Sequence, residues 1–283
     1  MFRIGVMVES FRLGLHEGLR KAVEVGAQGI QLYATGGDTH PDVLKGAARD
    51  ALRREVEGLG LEIAAVCGDF GGHGFQVSEE NAKRVDDSKR VVDLALELGS
   101  RVITTHIGVV PADAKHPRYT VMARACEQLG RYAADVGACF AIETGPEPAA
   151  VLRAFLDDIG IPEGMGVNFD PANLVMVCQE NIPEAVRTLA PYIRHTHAKD
   201  GVNKKPVTAE MLYASFVEPI DNFNALEYIE EVPLGCGQVD FPTYLDALRA
   251  VGFDGYLTIE REVGENPYDD IRQAVDFLAG LIG

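Results

Sequence analysis

Eight short runs rich in Val and Ile alternate along this chain with longer amphipathic segments. A strand covered on both faces reads as a continuous apolar run, and the helix that crosses back over it shows one apolar stripe of period 3.6. Strands are predicted at Arg3–Val8, Gly29–Tyr33, Glu62–Cys67, Arg101–His106, Cys139–Glu143, Gly166–Asp170, Tyr192–His197 and Gly255–Glu260. Helices are predicted at Leu15–Val25, Pro41–Leu59, Glu79–Leu98, Tyr119–Val136, Ala149–Asp157, Pro183–Leu189, Phe241–Val251 and Tyr268–Leu281. Gly60, Gly99, Gly137 and Gly252 stand where helices end before the next strand, the place of a left-handed cap residue. Eight strand–helix pairs point to an α/β fold, a single (β/α)8 TIM barrel, and its usual size of about 250 residues fits the chain's 283. An open doubly wound sheet is the alternative, but no Gly-x-Gly-x-x-Gly follows the first strand. We expect one domain over 1–283, with a long insertion at about 198–237 between strands seven and eight. Ala209–Phe216 and Ala225–Glu231 are predicted as short helices within it.

The formal net charge of -17 repels polyphosphate backbones and anionic lipid, so neither nucleic acid nor membrane is an expected partner. The five cysteines are scattered without a Cys-x-x-Cys pair, which reads as a reduced, cytoplasmic protein. The N-terminal MFRIGVMVESF lacks the apolar length and cleavage site of a signal peptide. No stretch approaches the roughly 18 apolar residues of a membrane span.

In a barrel the active site lies at the C-terminal ends of the strands. Those ends here carry Glu9, Tyr33, Cys67 with Asp69, His106, Glu143, Asp170, His197 and Glu260. Strand side chains alternate in direction, so Leu257 and Ile259 facing the helices leave Glu260 facing the axis. The same parity turns Glu143, Asp170 and His197 inward, with Asn168 and His195 one layer deeper. A single strand-end carboxylate is as readily a capping or ion-paired residue, and a lone His as readily a core residue. Three carboxylates crowded together repel one another, however, and a cation resolves that conflict. An oxygen-rich set with one imidazole suits one divalent metal, with Mn²⁺ the leading candidate and Mg²⁺ or Co²⁺ next.

The stretches AIETGPEP, NFDPANL, HTHAKD, PLGCGQVDF and DGYLTIERE resemble the xylose-isomerase-like sugar isomerase/epimerase superfamily, with ketose 3-epimerases, hydroxypyruvate isomerase, inosose dehydratase and apurinic endonucleases among its members. The resemblance implies that Glu143, Asp170, His197 and Glu260 hold one divalent metal. It also implies that Glu143 and Glu260 are the catalytic pair, moving a proton beside a carbonyl through a metal-stabilised enediolate. The expected substrate is a small sugar or polyol. His106, Asn173, Lys199, Glu9, Tyr33 and Asp69 are candidate substrate contacts, with His195 and Asn168 supporting the metal ligands. Asn173 departs from the family's Asp-x-x-His, which removes a proton carrier there. The outward parity of Arg261 argues against a substrate role, and His73 is expected in solvent.

The alternative is a metal-dependent lyase or dehydratase acting on an inosose or oxidised glycoside. A nuclease like the apurinic endonucleases is more distant, because the chain has no Asp-x-His after strand seven. The expected assembly is a homo-oligomer, dimer or tetramer.

Overall fold

A computed structural model describes all of residues 1–283. Eight parallel strands close into a barrel. They are β1 (Arg3–Met7), β2 (Gly29–Tyr33), β3 (Glu62–Cys67), β4 (Val102–Thr105), β5 (Cys139–Glu143), β6 (Met165–Phe169), β7 (Ile193–Ala198) and, after an inserted hairpin, β10 (Tyr256–Ile259). The hairpin pairs β8 (Asp200–Asn203) antiparallel with β9 (Ile229–Val232). The helices are α1 (Leu15–Glu24), α2 (Gly46–Gly58), α3 (Ser78–Leu98), α4 (Pro117–Val136), α5 (Ala149–Ile159), the single turn α6 (Pro171–Asn173), α7 (Ile182–Leu189), α8 (Ala209–Val217), α9 (Phe241–Ala250) and α10 (Pro267–Ile282).

The layer between barrel and helices carries the apolar side chains that the alternation assigned to it. Val167, Phe169, Leu257, Phe140 and Ile142 are buried in one continuous core with Leu19, Leu129, Phe155 and Leu248 from the helices. Removing each such side chain from water contributes about 1.5–3 kcal/mol. Phe169 stacks on Tyr244 at 5.6 Å, and Tyr119 meets Phe155 edge-on at 5.2 Å, which ties α9 to β6 and α4 to α5. Gly99 and Gly137 end α3 and α4 with φ of 94° and 74°, the left-handed geometry that a Cβ disfavours.

Two elements differ from expectation. Helix α2 begins at Gly46 instead of Pro41. Val43 and Leu44 close a turn onto the His40 carbonyl, and Gly46 has a φ of 52°, so a right-handed helix cannot run through it. The segment expected as a helix at 225–231 is one 3-10 turn, Ala225–Glu227, followed by β9. The exposed edge of β8 supplies pairing partners there, and Ile229 and Val232 suit a strand. The expected helix in the same insertion is present as α8.

Register shifts occur at two places, between Ile30 and Gln31 on β2 facing β3 and between Val167 and Asn168 on β6 facing β7. Such bulges re-aim the side chains beyond them. Both shifts fall just before a buried amide that points into the site.

Candidate active site

Glu143 ends β5, Asp170 follows β6, His197 lies on β7 and Glu260 follows β10. One ligand atom from each lies within 4.8 Å of all the others, and all four side chains are buried. His197 Nδ1 is 3.3 Å from Glu260 Oε2, 3.4 Å from Asp170 Oδ2 and 3.5 Å from Glu143 Oε1. The parity and period of the strand ends therefore meet at one point.

Local structure aims each group. Asp170 caps α6 and accepts the Asn173 backbone N–H on Oδ1 at 3.0 Å. Thr144 Oγ1 donates to the Asp170 carbonyl at 2.9 Å and accepts the Asp170 N–H at 2.8 Å, which locks the ends of β5 and β6 together. Glu143 accepts from Asn168 Nδ2 and Asn173 Nδ2, each at 3.1 Å. Asn173 is thus a support for Glu143, and a side chain at Gly145 would collide with its Cβ. His195 lies below, its ring 6.0 Å from that of His197, and burial holds its pKa down at about 3, keeping it neutral.

Asp170 Oδ2 and His197 Nδ1 are fully buried and have no hydrogen-bond partner. Buried polar atoms are rarely left so. Three carboxylates and an imidazole whose free atoms converge fit a divalent cation bound by oxygen and one nitrogen. Glu143, Asp170, His197 and Glu260 are the residues that would hold it.

The sequence reading missed Gln31. This amide on β2 is wholly buried; its Oε1 lies 3.2 Å from His197 Nε2 while its Nε2 donates to Thr104 Oγ1 at 3.1 Å. With its Nε2 on Thr104, Gln31 presents Oε1 to His197 as an acceptor that keeps the proton on Nε2 and frees Nδ1. The available signal was an amide in the apolar run GIQLY, sharing the parity of Tyr33.

A cavity of about 740 Å³ opens above the four residues. Of the four, Glu143 and Glu260 line it. Tyr33, Asp69, His106, Asn173 and Lys199 line it as well. His106 Nδ1 is 3.2 Å from Asp69 Oδ2 and Nε2 is 3.7 Å from Glu143 Oε1. Burial lowers the His106 pKa, but Glu143, Asp69 and Glu260 together raise it to about 10. Lys199 Nζ binds Glu260 Oε2 at 3.0 Å and also contacts Glu262, so Glu260 stays ionised: burial pushes its pKa up, and Lys199 and His197 bring it below the ordinary range.

Glu9 does not line this cavity. Its Oε1 accepts the Tyr33 N–H at 3.0 Å, so it positions β2, and burial raises its pKa to about 7. Arg261 points outward as expected, between Glu231 at 2.6 Å and Asp270 at 2.8 Å. The glycines of PLGCG cradle a carboxylate of the chain itself: Asp200 accepts the N–H of Gly201, Gly235, Gly237 and Val239 at 2.8–3.1 Å. His73, expected in solvent, is exposed and lies at the cavity edge. No helix is long and apolar enough to cross a membrane.

A family model described as "Xylose isomerase-like TIM barrel" matches residues 19–281. A xylose isomerase domain protein from Planctomyces limnophilus is similar at 30% identity, with 99% of this chain and 96% of that chain covered and a TM-score of 0.79. A probable 3-DHS dehydratase involved in petrobactin synthesis, from Bacillus anthracis, shares 18% identity over 98% and 99% of the two chains, with a TM-score of 0.76. A D-psicose 3-epimerase shares 16% identity over 100% of both, with a TM-score of 0.74. No curated protein matches the chain in sequence.

Proposed function

Because the chain belongs to the xylose isomerase-like TIM barrel family, we propose that it is a divalent-metal-dependent isomerase or epimerase of a carbonyl sugar. One observation carries this reading. The four buried ligand atoms converge, yet of the four residues it is Glu143 and Glu260 that face the cavity. A proton beside a carbonyl is removed by one positioned carboxylate and returned by another. A divalent metal held by Glu143, Asp170, His197 and Glu260, Mn²⁺ first among candidates, would supply stabilisation of the negative charge that builds in the reaction.

The chain's own residues divide the remaining work. Glu260, facing the cavity beside Lys199, takes a proton from carbon. Glu143, protonated by the His106 imidazolium 3.7 Å away, returns one. His106, Lys199, Asp69 and Tyr33 orient the substrate's hydroxyls, while Asn173 and Asn168 hold Glu143 in place. The epimerase among the similar structures supports the reaction class.

The test is hydrogen exchange in heavy water with a panel of ketoses and inososes. Glu143→Gln and Glu260→Gln are each expected to slow exchange by about 10²–10⁴. Near-normal rates in both variants would remove the proton-transfer assignment. Release of a dehydrated product in place of exchange would assign the chain to the lyases.

A further inference from the structure

The cavity above the four ligands has two chemically different halves. Its floor is the polar ring just described. Its outer wall comes largely from the insertion, through Leu212, Tyr213 and Phe216 on α8 and Leu226 on the turn before β9, with Val263 beyond β10. Phe216, Leu226 and Val263 keep 62%, 65% and 43% of their surface accessible, and all three line the cavity. Tyr213 and Phe216 meet edge-to-face at 5.9 Å, forming an aromatic corner, and the Tyr213 ring stands 6.1 Å from that of His106. The apolar wall is therefore continuous with the site of chemistry.

Size and charge narrow what can fill it. At roughly 30 Å³ per water-sized group, a hexose of about twelve heavy atoms takes up at most about half of the volume. Of the two permanent cations that line the cavity, Lys199 is held by Glu260 and Glu262, while Arg118 lies 3.6 Å from Glu210 with its Nε unpartnered. Asp69, Glu143, Glu210, Glu231, Glu260 and Glu262 all line it too. Six carboxylates against two cations set a negative field that disfavours a phosphate or carboxylate on the substrate.

We propose that the substrate is a neutral carbonyl sugar carrying an apolar ring-shaped aglycone, the sugar on the polar floor and the aglycone against Tyr213, Phe216 and Leu226. This rests on the isomerase/epimerase reading for the sugar end alone. Apolar surface left wet by the free protein is covered when the aglycone binds, and ring-on-ring packing adds to it.

Binding of unreactive probes to the Mn²⁺-loaded protein tests the proposal without turnover. Calorimetry should find phenyl β-D-glucoside bound about tenfold more tightly than methyl β-D-glucoside. The double variant Phe216→Ala, Leu226→Ala should erase that preference and leave methyl glucoside binding and exchange on free ketoses unchanged. Both side chains are largely exposed, so the fold tolerates their loss. Equal binding of the two glucosides overturns the proposal, as does tighter binding of a sugar phosphate. A dimer that the double variant dissociates, with no preference for the phenyl group, would give the wall to a second copy. Phenyl preference without proton exchange on any carbonyl sugar would sink the isomerase reading and leave the apolar subsite standing.

Discussion

Replacing Gln31 with leucine removes the one acceptor that His197 Nε2 has, with little change in volume. The neighbouring amide nitrogen of Asn168, 3.1 Å from Nε2, offers hydrogens alone. With Gln31 present, the proton stays on Nε2 and the Nδ1 lone pair faces the carboxylates. Without it, Asn168 favours the opposite tautomer, with Nδ1 protonated and unable to bind a cation. Leaving a buried N–H unpaired costs about 1–3 kcal/mol, and each 1.4 kcal/mol is about a factor of ten. Mn²⁺ affinity should thus fall about 10–100-fold, the range found when an outer partner of a metal-bound histidine is lost. Competition with a chromophoric chelator measures the affinity, and melting in EDTA separates it from loss of the fold. Gln31→Glu restores an acceptor and should recover most of the binding. A normally melting Gln31→Leu protein with Mn²⁺ affinity within about twofold of the parent would refute the reasoning.

Three more outcomes are expected. Stripping metal with EDTA should lower the melting temperature by about 5–10 °C relative to Mn²⁺ at a hundred times its Kd, a gain of about 2.7 kcal/mol, and an unchanged melt would deny a resident cation. Asp200→Ala deprives four backbone N–H groups of their acceptor, so deuterium exchange at Gly201, Gly235, Gly237 and Val239 should accelerate; equal protection would show that the cradle does not hold the insertion. Burial raises the Glu147 pKa from 4.5 to about 8, against the Val110 N–H that lowers it. A carboxyl with a raised folded-state pKa stabilises fully below its unfolded value, and that stability drains away as pH climbs through the window from 4.5 to about 8. Glu147→Gln should therefore melt progressively higher than the parent across that window, by about 1 kcal/mol per pH unit, and level off above it. Parallel melting curves from pH 5 to 9 would contradict this.

Much of the barrel was legible because its information is local. Strand and helix periods are written into windows of a few residues, and alternation along Cys139–Glu143 and Tyr256–Ile259 suffices to say which side chains face the axis. The same parity placed Glu143, Asp170, His197 and Glu260 on one rim. The insertion was less legible: Ala225–Glu231 carries no strong period, and its strand exists because β8 offers an edge. Glu9 ended a strand like the others, yet its carboxylate turned to the Tyr33 backbone instead of the cavity.

The amino-acid sequence alone determined the alternation that closes the barrel and which four rim side chains face its axis, since both depend on neighbours in the chain. Tertiary structure alone decided that Gln31 meets His197 across 166 positions, that the PLGCG amides turn onto Asp200, and that α8 roofs the cavity with apolar side chains. The first arises from barrel closure and the register shift beside Gln31, the other two from the fold of the insertion. Hydrophobic periodicity sets which face a residue takes; only closure sets which distant residue it faces.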